Sequence, residues 1–596
     1  RRLVRRSRRR GEELLVCLAG VQSNMFARAT DLALAFRAED IPVVLGGFHV
    51  SGVLAMFDEP TPELQRLMDA GVSLVHGEAE APGVIERLLL DRLSGELTPL
   101  YRCAYAPDIK HAAIPQPQED YLERFMASMG TIDTSRGCPY NCSFCTIVNV
   151  QGRKMRGRDA AVMLKSIEDN FEHGFHTYFF TDDNLSRSPA WEALFDGLIA
   201  LRERGKPIRF MMQVDTQAWH VPRFMEKAAA AGCSTVFIGL ESVNPANMEA
   251  TGKKQNKVDE FAEMAEAWRQ AGVIVQVGYI IGLPHDTAAS VARDITVLRD
   301  HVKVDLASFF MLTPLPGSKD HADMVAQQVP MDADLNNYDS MHETFRQANM
   351  APGQWRAAYD AAWESFYDKD NMANILLRIP LRQYWAMFWQ LIWYRYSMEF
   401  QTHPMVMGFL KRFTRGERRP DMPDESVFAY AWRRLATIKK QAGVIYRLFF
   451  EFQELWLLTR RQEDPRWAVL AELRGRWSDA QRRVMDSDMA ARCDVALGEL
   501  RETLRVFAER LELSSHSSRV FGWLTRRRLA KKAREVRAYL QETQWQVPSW
   551  QEVVQVERYI RESVVGGYEE LEEHDVAKRR RFMDLLENFV AKLKGG

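Results

Sequence analysis

Three cysteines fall within eight residues, in the run Gly137-Cys138-Pro139-Tyr140-Asn141-Cys142-Ser143-Phe144-Cys145. Thiolates spaced in this way can wrap one corner of an iron–sulfur cube, each on its own iron. No fourth Cys follows nearby, so one iron of a [4Fe–4S] cluster would stay open. The amino and carboxylate groups of S-adenosylmethionine (SAM) can chelate an open iron. An electron entering the sulfonium then breaks a C–S bond and gives a 5′-deoxyadenosyl radical. Zinc is the competing occupant. It would want a fourth Cys or His at close spacing, and the next His, His173, lies far along a helical stretch.

The elements around this loop alternate. From 130 to about 320, strand candidates at 131–135, 176–181, 208–215, 234–241, 273–281 and 304–312 are separated by helical stretches at 159–173, 190–204, 221–231, 257–271 and 288–301. Six βα repeats predict a full or partial parallel barrel. The cysteine loop follows its first strand, at the face where barrel active sites form.

The CxxxCxxC spacing, with Phe144 before the last Cys, resembles the radical SAM superfamily, and the resemblance runs over 130–320. It implies that Phe144 contacts the adenine. Gly239-Leu240-Glu241-Ser242 ends the fourth strand, and there the resemblance makes Glu241 a contact to the ribose hydroxyls, with a loop-satisfying carboxylate as the alternative. Gly278-Tyr279-Ile280-Ile281-Gly282-Leu283-Pro284 is similar to the family's GxIxG stretch, which implies Gly278, Ile280 and Gly282 at the adenine. Two departures stand out. The Gly-Gly-Glu stretch that often receives the SAM amino group is replaced by Thr181-Asp182-Asp183-Asn184, where Asp182 or Asp183 could accept the ammonium or cap a helix. His285 stands where a Glu often follows GxIxG. Gln213 and Asp215 should point into the lumen, toward SAM or substrate. Arg153, Lys154 and Arg156 could pair with the SAM carboxylate or simply begin a helix. No residue is singled out as a general acid or base.

Upstream, apolar runs at 14–20, 41–47 and 72–76 flank a helical 25–38. This predicts parallel strands with covering helices. Residues 14–90 resemble the second half of a cobalamin-binding domain, a flavodoxin-like doubly wound sheet. Gly46-Gly47, followed by Phe48-His49, and Gly77-Glu78-Ala79-Glu80 carry that resemblance. It implies Gly46, Gly47 and Ser23 near a corrin or its nucleotide tail, with His49 structural. The first strands of such a domain are not in the chain, and no DxHxxG motif supplies an axial His. The chain begins at Arg1, and Arg is seven of its first ten residues. The expectation is therefore a longer protein that binds cobalamin when complete; the alternatives are that cobalt is held without a protein His, or that the domain no longer binds cobalamin and the enzyme works without it. Over about 14–345 the chain resembles cobalamin-dependent radical SAM proteins, in the group containing the oxygen-independent magnesium-protoporphyrin monomethyl ester cyclase.

The organisation expected is a partial flavodoxin-like domain over 1–110, a linker over 111–129, a (β/α)6 partial barrel over 130–325 and an all-α region over 326–596. In the last, 383–400 and 444–458 are strongly aromatic. Trp385, Phe388, Trp389 and Trp393 recur at helical spacing and could line a greasy pocket or pack in a core. Basic patches at 411–419 and 526–534 would suit anionic headgroups or water.

Lys plus Arg total 79 against 80 Asp plus Glu. Such balance gives no long-range pull on a polyanion. Seven cysteines in 596 residues do not form a disulfide scaffold. No uncharged apolar run reaches membrane-span length. The reading is thus a cytoplasmic radical enzyme that methylates, oxidises or cyclises a hydrophobic small molecule. It would draw electrons from a flavodoxin or ferredoxin, bind no nucleic acid and touch a membrane surface at most. A methylthiotransferase would need three more N-terminal cysteines, and only Cys17 and Cys103 are there. A regulatory scaffold would have no use for Glu241 or GxIxG.

Overall fold

The computed structural model describes residues 2–57, 59–103, 106–115, 129–407, 415 and 425–459. The chain divides into two compact units, Arg1–Leu122 with Ala127–Glu451, and Glu123–Met126 with Phe452–Gly596. The first unit carries the architecture below. Of the second, only 452–459 is described, the last turns of the helix Val427–Thr459.

The N-terminal strands are β1 (Val16–Leu18), β2 (Val43–Gly46), β3 (Val72–His76) and β4 (Leu100–Arg102). They pair in parallel in the order β1-β2-β3-β4. Fully buried Val43, Leu45, Val72 and Leu74 pack with Phe26, Ala33 and Val53 from the covering helices. β4 is not among the strands expected from the sequence. Burial of Tyr101 beneath Val44 and Val75 recruits it to the sheet edge. Strand order never reverses among the described residues, so these four strands are one wing of a doubly wound sheet.

The large sheet contains β5 (Met129–Ile132), β8 (Thr177–Phe180), β9 (Arg209–Val214), β10 (Cys233–Glu241), β11 (Ile274–Ile281) and β12 (Leu306–Met311), all parallel and in consecutive order. Between β5 and β8 the two-residue strands β6 (Ser135–Arg136) and β7 (Arg156–Gly157) pair antiparallel. The expected strand positions therefore hold to within a few residues. β5 and β12 are the two edges, which makes the barrel partial. Alternation along each strand sends one set of side chains to the helices and the other to the lumen. On the helix side Phe180 stacks on Phe210, with ring centroids 4.6 Å apart, and Phe195, Phe224 and Trp268 continue the aromatic layer. On the other side Phe179, Met211, Gln213, Phe237 and Phe310 are only half-buried.

The downstream helices close the open side. An edge strand leaves backbone groups unpaired. On β12 the Tyr367 hydroxyl donates to the Ala307 carbonyl at 2.7 Å and accepts from the Ala307 N–H at 3.1 Å. Tyr394, on the helix Tyr384–Glu399, accepts from the Gln276 amide at 2.7 Å. The four aromatics expected to share one face do not share one environment. Trp385 is 42% and Trp389 59% exposed, whereas Phe388 is buried against Tyr384 and Trp393 donates to the Pro404 carbonyl at 2.9 Å. They do not form a single lining, because their helix is apolar on both its packed and its open side. In 444–458, Val444 and Leu448 are buried while Tyr446 and Phe449 are exposed. The basic patch at 526–534, and that at 411–419 apart from Arg415, lie outside the described residues. Among the described residues no helix is long and apolar enough to cross a membrane.

Candidate active site at the barrel mouth

The β6–β7 ribbon pinches the chain at the base of the cysteine loop, pairing Arg136 with Arg156. Gly137, at φ +96°, turns the chain into the loop, and a Cβ there would lie 2.6 Å from the Lys154 carbonyl. The Cys138 N–H donates to Gly152 and the Cys145 N–H to Cys142, at 3.2 and 3.1 Å. The three thiols are thus held on one short, internally bonded turn at the carboxyl end of β5.

Burial pushes all three thiols above their ordinary range, Cys145 to about 12; Cys138 and Cys145 also feel the charge of Cys142, while the Lys253 charge works to lower Cys142. Gathered, half-buried thiols need a positive partner before they ionise together. A four-iron cube takes each thiolate on a separate iron, and three thiols gathered on one short turn are a donor set that fits it.

Around the loop, the structure sorts the expected SAM contacts. Asp182 is fully buried and accepts from the Thr134 N–H at 2.9 Å, the Thr134 hydroxyl at 2.7 Å and the Ser135 hydroxyl. Its oxygens are committed to tying β8 to β5, so it is not a free ammonium acceptor. Asp183 is different. It opens to the mouth, no described side chain bonds it, and burial followed by the Asp182 charge pushes it up to about 7. Of the two, Asp183 is the exposed one.

Asp215 does not project freely into the lumen. It accepts from Arg187 at 2.8 and 3.1 Å and from the Asn184 amide at 2.8 Å. Burial works to raise its pKa, and these donors outweigh burial and lower it. The Arg187 guanidinium also lies over the Tyr140 ring, 5.8 Å from its centroid, which links β9 to the cysteine loop. Gln213, one alternation away, stays half-buried on the lumen face.

Glu241 ends β10 at φ +66° and forms a buried ion pair with Lys253. Lys253 Nζ also donates to the Gly239 carbonyl at 2.8 Å and lies 5.9 Å from the centre of the half-buried Phe144 ring. Burial alone would depress the lysine, and the negative charges of Glu241 and Cys142 reverse that and raise it. Lys253 was missed in the sequence because Thr-Gly-Lys-Lys reads as a solvated turn.

The glycines of the GxIxG stretch face protein. A Cβ on Gly278 would lie 2.9 Å from the Phe237 ring, and one on Gly282, at φ +105°, 2.3 Å from Trp355. Ile280 is buried. The place His285 occupies in sequence is served by its neighbour. Asp286 accepts from the Gly282 and Leu283 N–H groups, both at 2.9 Å, and burial pushes it up to about 6. Arg156 is also committed, to Glu78 and to the Pro107 carbonyl at 2.7 Å, while Arg153 and Lys154 are exposed.

The four-stranded unit is seated beside this mouth. Glu78, just past β3, bridges Arg136 and Arg156. Gly52 meets the turn after β12, where its Cβ would lie 2.6 Å from the Pro316 carbonyl. Its expected corrin contacts have internal partners. A Cβ on Gly47 would lie 2.2 Å from the Val21 nitrogen, and one on Gly46 3.2 Å from Val75. Ser23 Oγ is 3.1 Å from His49 Nδ1 in the core.

An open parallel barrel with three cysteines on the loop after its first strand defines a radical enzyme built around an iron–sulfur cluster. Residues 132–298 match the family model described as the radical SAM superfamily. Bacteriochlorophyllide d C-8(2)-methyltransferase from Chlorobaculum tepidum is 26% identical over 54% of this chain and 71% of its own length. The anaerobic magnesium-protoporphyrin IX monomethyl ester cyclase of Cereibacter sphaeroides is 27% identical over 30% of each chain. The solved structure of the radical S-adenosylmethionine methyltransferase TsrM from Kitasatospora setae is 17% identical over 60% of this chain and 79% of its own, with a TM-score of 0.48. Over residues 132–298 the chain is thus similar to the radical SAM superfamily of enzymes.

Proposed function

We propose that this chain is the catalytic part of a cobalamin-dependent radical SAM methyltransferase for a hydrophobic, polycyclic small molecule. Cys138, Cys142 and Cys145 would hold the cluster, with the fourth iron left to SAM. When bound, the cluster supplies one electron to the SAM sulfonium, which yields a 5′-deoxyadenosyl radical for hydrogen abstraction. Asp183 would receive the SAM ammonium, Glu241 the ribose and Phe144 the adenine. Gln213 and the apolar lumen side chains would face the substrate. An apolar pocket with few polar groups is how proteins hold greasy ligands.

The observation that carries the proposal is the seating of the four-stranded unit on the ribbon at the base of the cysteine loop, through Glu78 with Arg136 and Arg156. A second cofactor at the carboxyl end of β1–β4 would border the same mouth. The similarity to a bacteriochlorophyllide methyltransferase supports both the reaction and a flat, polycyclic substrate.

The test is anaerobic reconstitution followed by SAM labelled in its methyl group. About four irons per chain, slow release of 5′-deoxyadenosine and label transferred to an apolar acceptor in the presence of cobalamin are expected. A colourless, zinc-loaded protein without SAM cleavage would end the proposal. A second reading, oxidation or cyclisation without cobalamin, is favoured by one observation. Gly47 and Ser23 are taken up by Val21 and His49. Under that reading 5′-deoxyadenosine forms, but no methyl label moves.

A further inference from the structure

The short stretch Thr251–Asn256, between the helix Pro245–Ala250 and the next turn, packs against the cysteine loop. The Ser143 N–H donates to the Thr251 carbonyl at 3.0 Å. A Cβ on Gly252 would lie 3.3 Å from the Asn141 carbonyl, so the two backbones run close together. The Gln255 amide donates to the Cys142 sulfur at 3.9 Å. Lys253, 7% exposed, lies near the Phe144 ring between two of the cysteines in sequence. Asn256 fastens the far end, donating to the Gly239 and Leu240 carbonyls at 3.1 and 2.7 Å and accepting from the Thr216 hydroxyl at 3.0 Å.

Most of these contacts would serve any well-packed loop. Two would not. An amide N–H aimed at a thiol sulfur gains most when the sulfur is a metal-bound thiolate. A buried ammonium beside three thiols is a charge the fold has gone to some length to hold. Reduction adds one negative charge to a cluster, and a nearby positive charge or N–H···S dipole stabilises the reduced form more than the oxidised one.

We propose that Gln255 and Lys253 are positioning residues that raise the reduction potential of the cluster on Cys138, Cys142 and Cys145, Gln255 through its hydrogen bond to Cys142 sulfur and Lys253 as a buried counter-charge. The inference rests on the cluster assignment above. It adds the physical means by which an ordinary electron donor can reduce the site.

The experiment is an EPR-monitored redox titration of anaerobically reconstituted full chain without SAM, so that activity plays no part in the readout. Gln255 is half-buried and packs no core, so Gln255→Leu tests the hydrogen bond with little risk to folding. Its reduction equilibrium should shift by on the order of tenfold toward the oxidised cluster, about 59 mV more negative for one electron, at unchanged iron content. Lys253→Met should shift the midpoint in the same direction, and adding Glu241→Gln, which removes the opposing charge of the pair, should return part of that shift. Lys253→Arg should keep the wild-type midpoint. Iron-replete variants whose midpoints equal wild type would overturn the inference and leave the cluster assignment standing. A wild-type chain that takes up no iron would overturn both.

Discussion

Glu241 and Lys253 form an ion pair that is buried on both sides, twelve residues apart in sequence, at the point where β10 leaves the barrel. The carboxylate expected to meet the SAM ribose is thus already held by a cation that also faces the cluster loop. Such a pair fixes geometry more reliably than it adds stability, because both charges have left water. Removing one partner is far costlier than removing both.

Glu241→Gln should therefore destabilise the chain by about 3–5 kcal/mol, since it strands the buried ammonium. The double change with Lys253→Met should cost clearly less than the sum of the two single changes. Denaturant titration of the four proteins gives the coupling directly. Additive losses would mean that the pair is not coupled.

At Gly282, alanine meets two obstacles, a φ of +105° and the Trp355 ring at 2.3 Å. Overpacking of this kind costs about 1–3 kcal/mol, and the backbone strain adds to it. Gly282→Ala should lower the melting temperature. Adding Trp355→Leu should recover part of the loss by clearing the ring, but not the part due to φ. If the double variant folds well and still fails to bind SAM, Gly282 has a second role at the adenine.

Gly47 makes the same kind of test in the N-terminal unit. Because its missing side chain leaves room for the Val21 backbone, Gly47→Ala should loosen this unit whether or not cobalamin is present. Limited proteolysis in cobalamin-free buffer measures it. A variant as resistant as wild type that has lost only cobalamin binding would show that the glycine serves the cofactor instead.

Acid should act through His49. Burial, and then the proximity of His321, lowers it to about 4 from an ordinary 6.5. The folded state holds the neutral ring, so the unfolded chain binds the extra proton between these values. The stabilisation is complete above about pH 6.5 and is lost as pH falls toward 4, amounting to about 3 kcal/mol for one such group. Amide exchange in β1–β3 should accelerate over that window, and His49→Gln should flatten the dependence. A wild-type profile that stays flat from pH 7 to 4 would contradict the buried neutral ring.

What the sequence determined by itself was whatever depends on near neighbours. Cys138, Cys142 and Cys145 share one loop, so their spacing alone limits what they can ligate. The strands of the barrel announce themselves because apolar runs alternate with helical stretches at short range. The glycines were legible only by half. A glycine-bearing run such as Gly278-Tyr279-Ile280-Ile281-Gly282 says that something approaches the backbone, and not whether it is an adenine or the Phe237 and Trp355 rings found there. Asp182 and Asp183 are adjacent and chemically identical in sequence. Only packing gives the first three donors and leaves the second open. Gln255 and Cys142 stand 113 positions apart, and nothing local to either forecasts their contact. Contacts of that range exist because the strands between them pair side by side in one sheet, and that pairing is decided by the whole core at once.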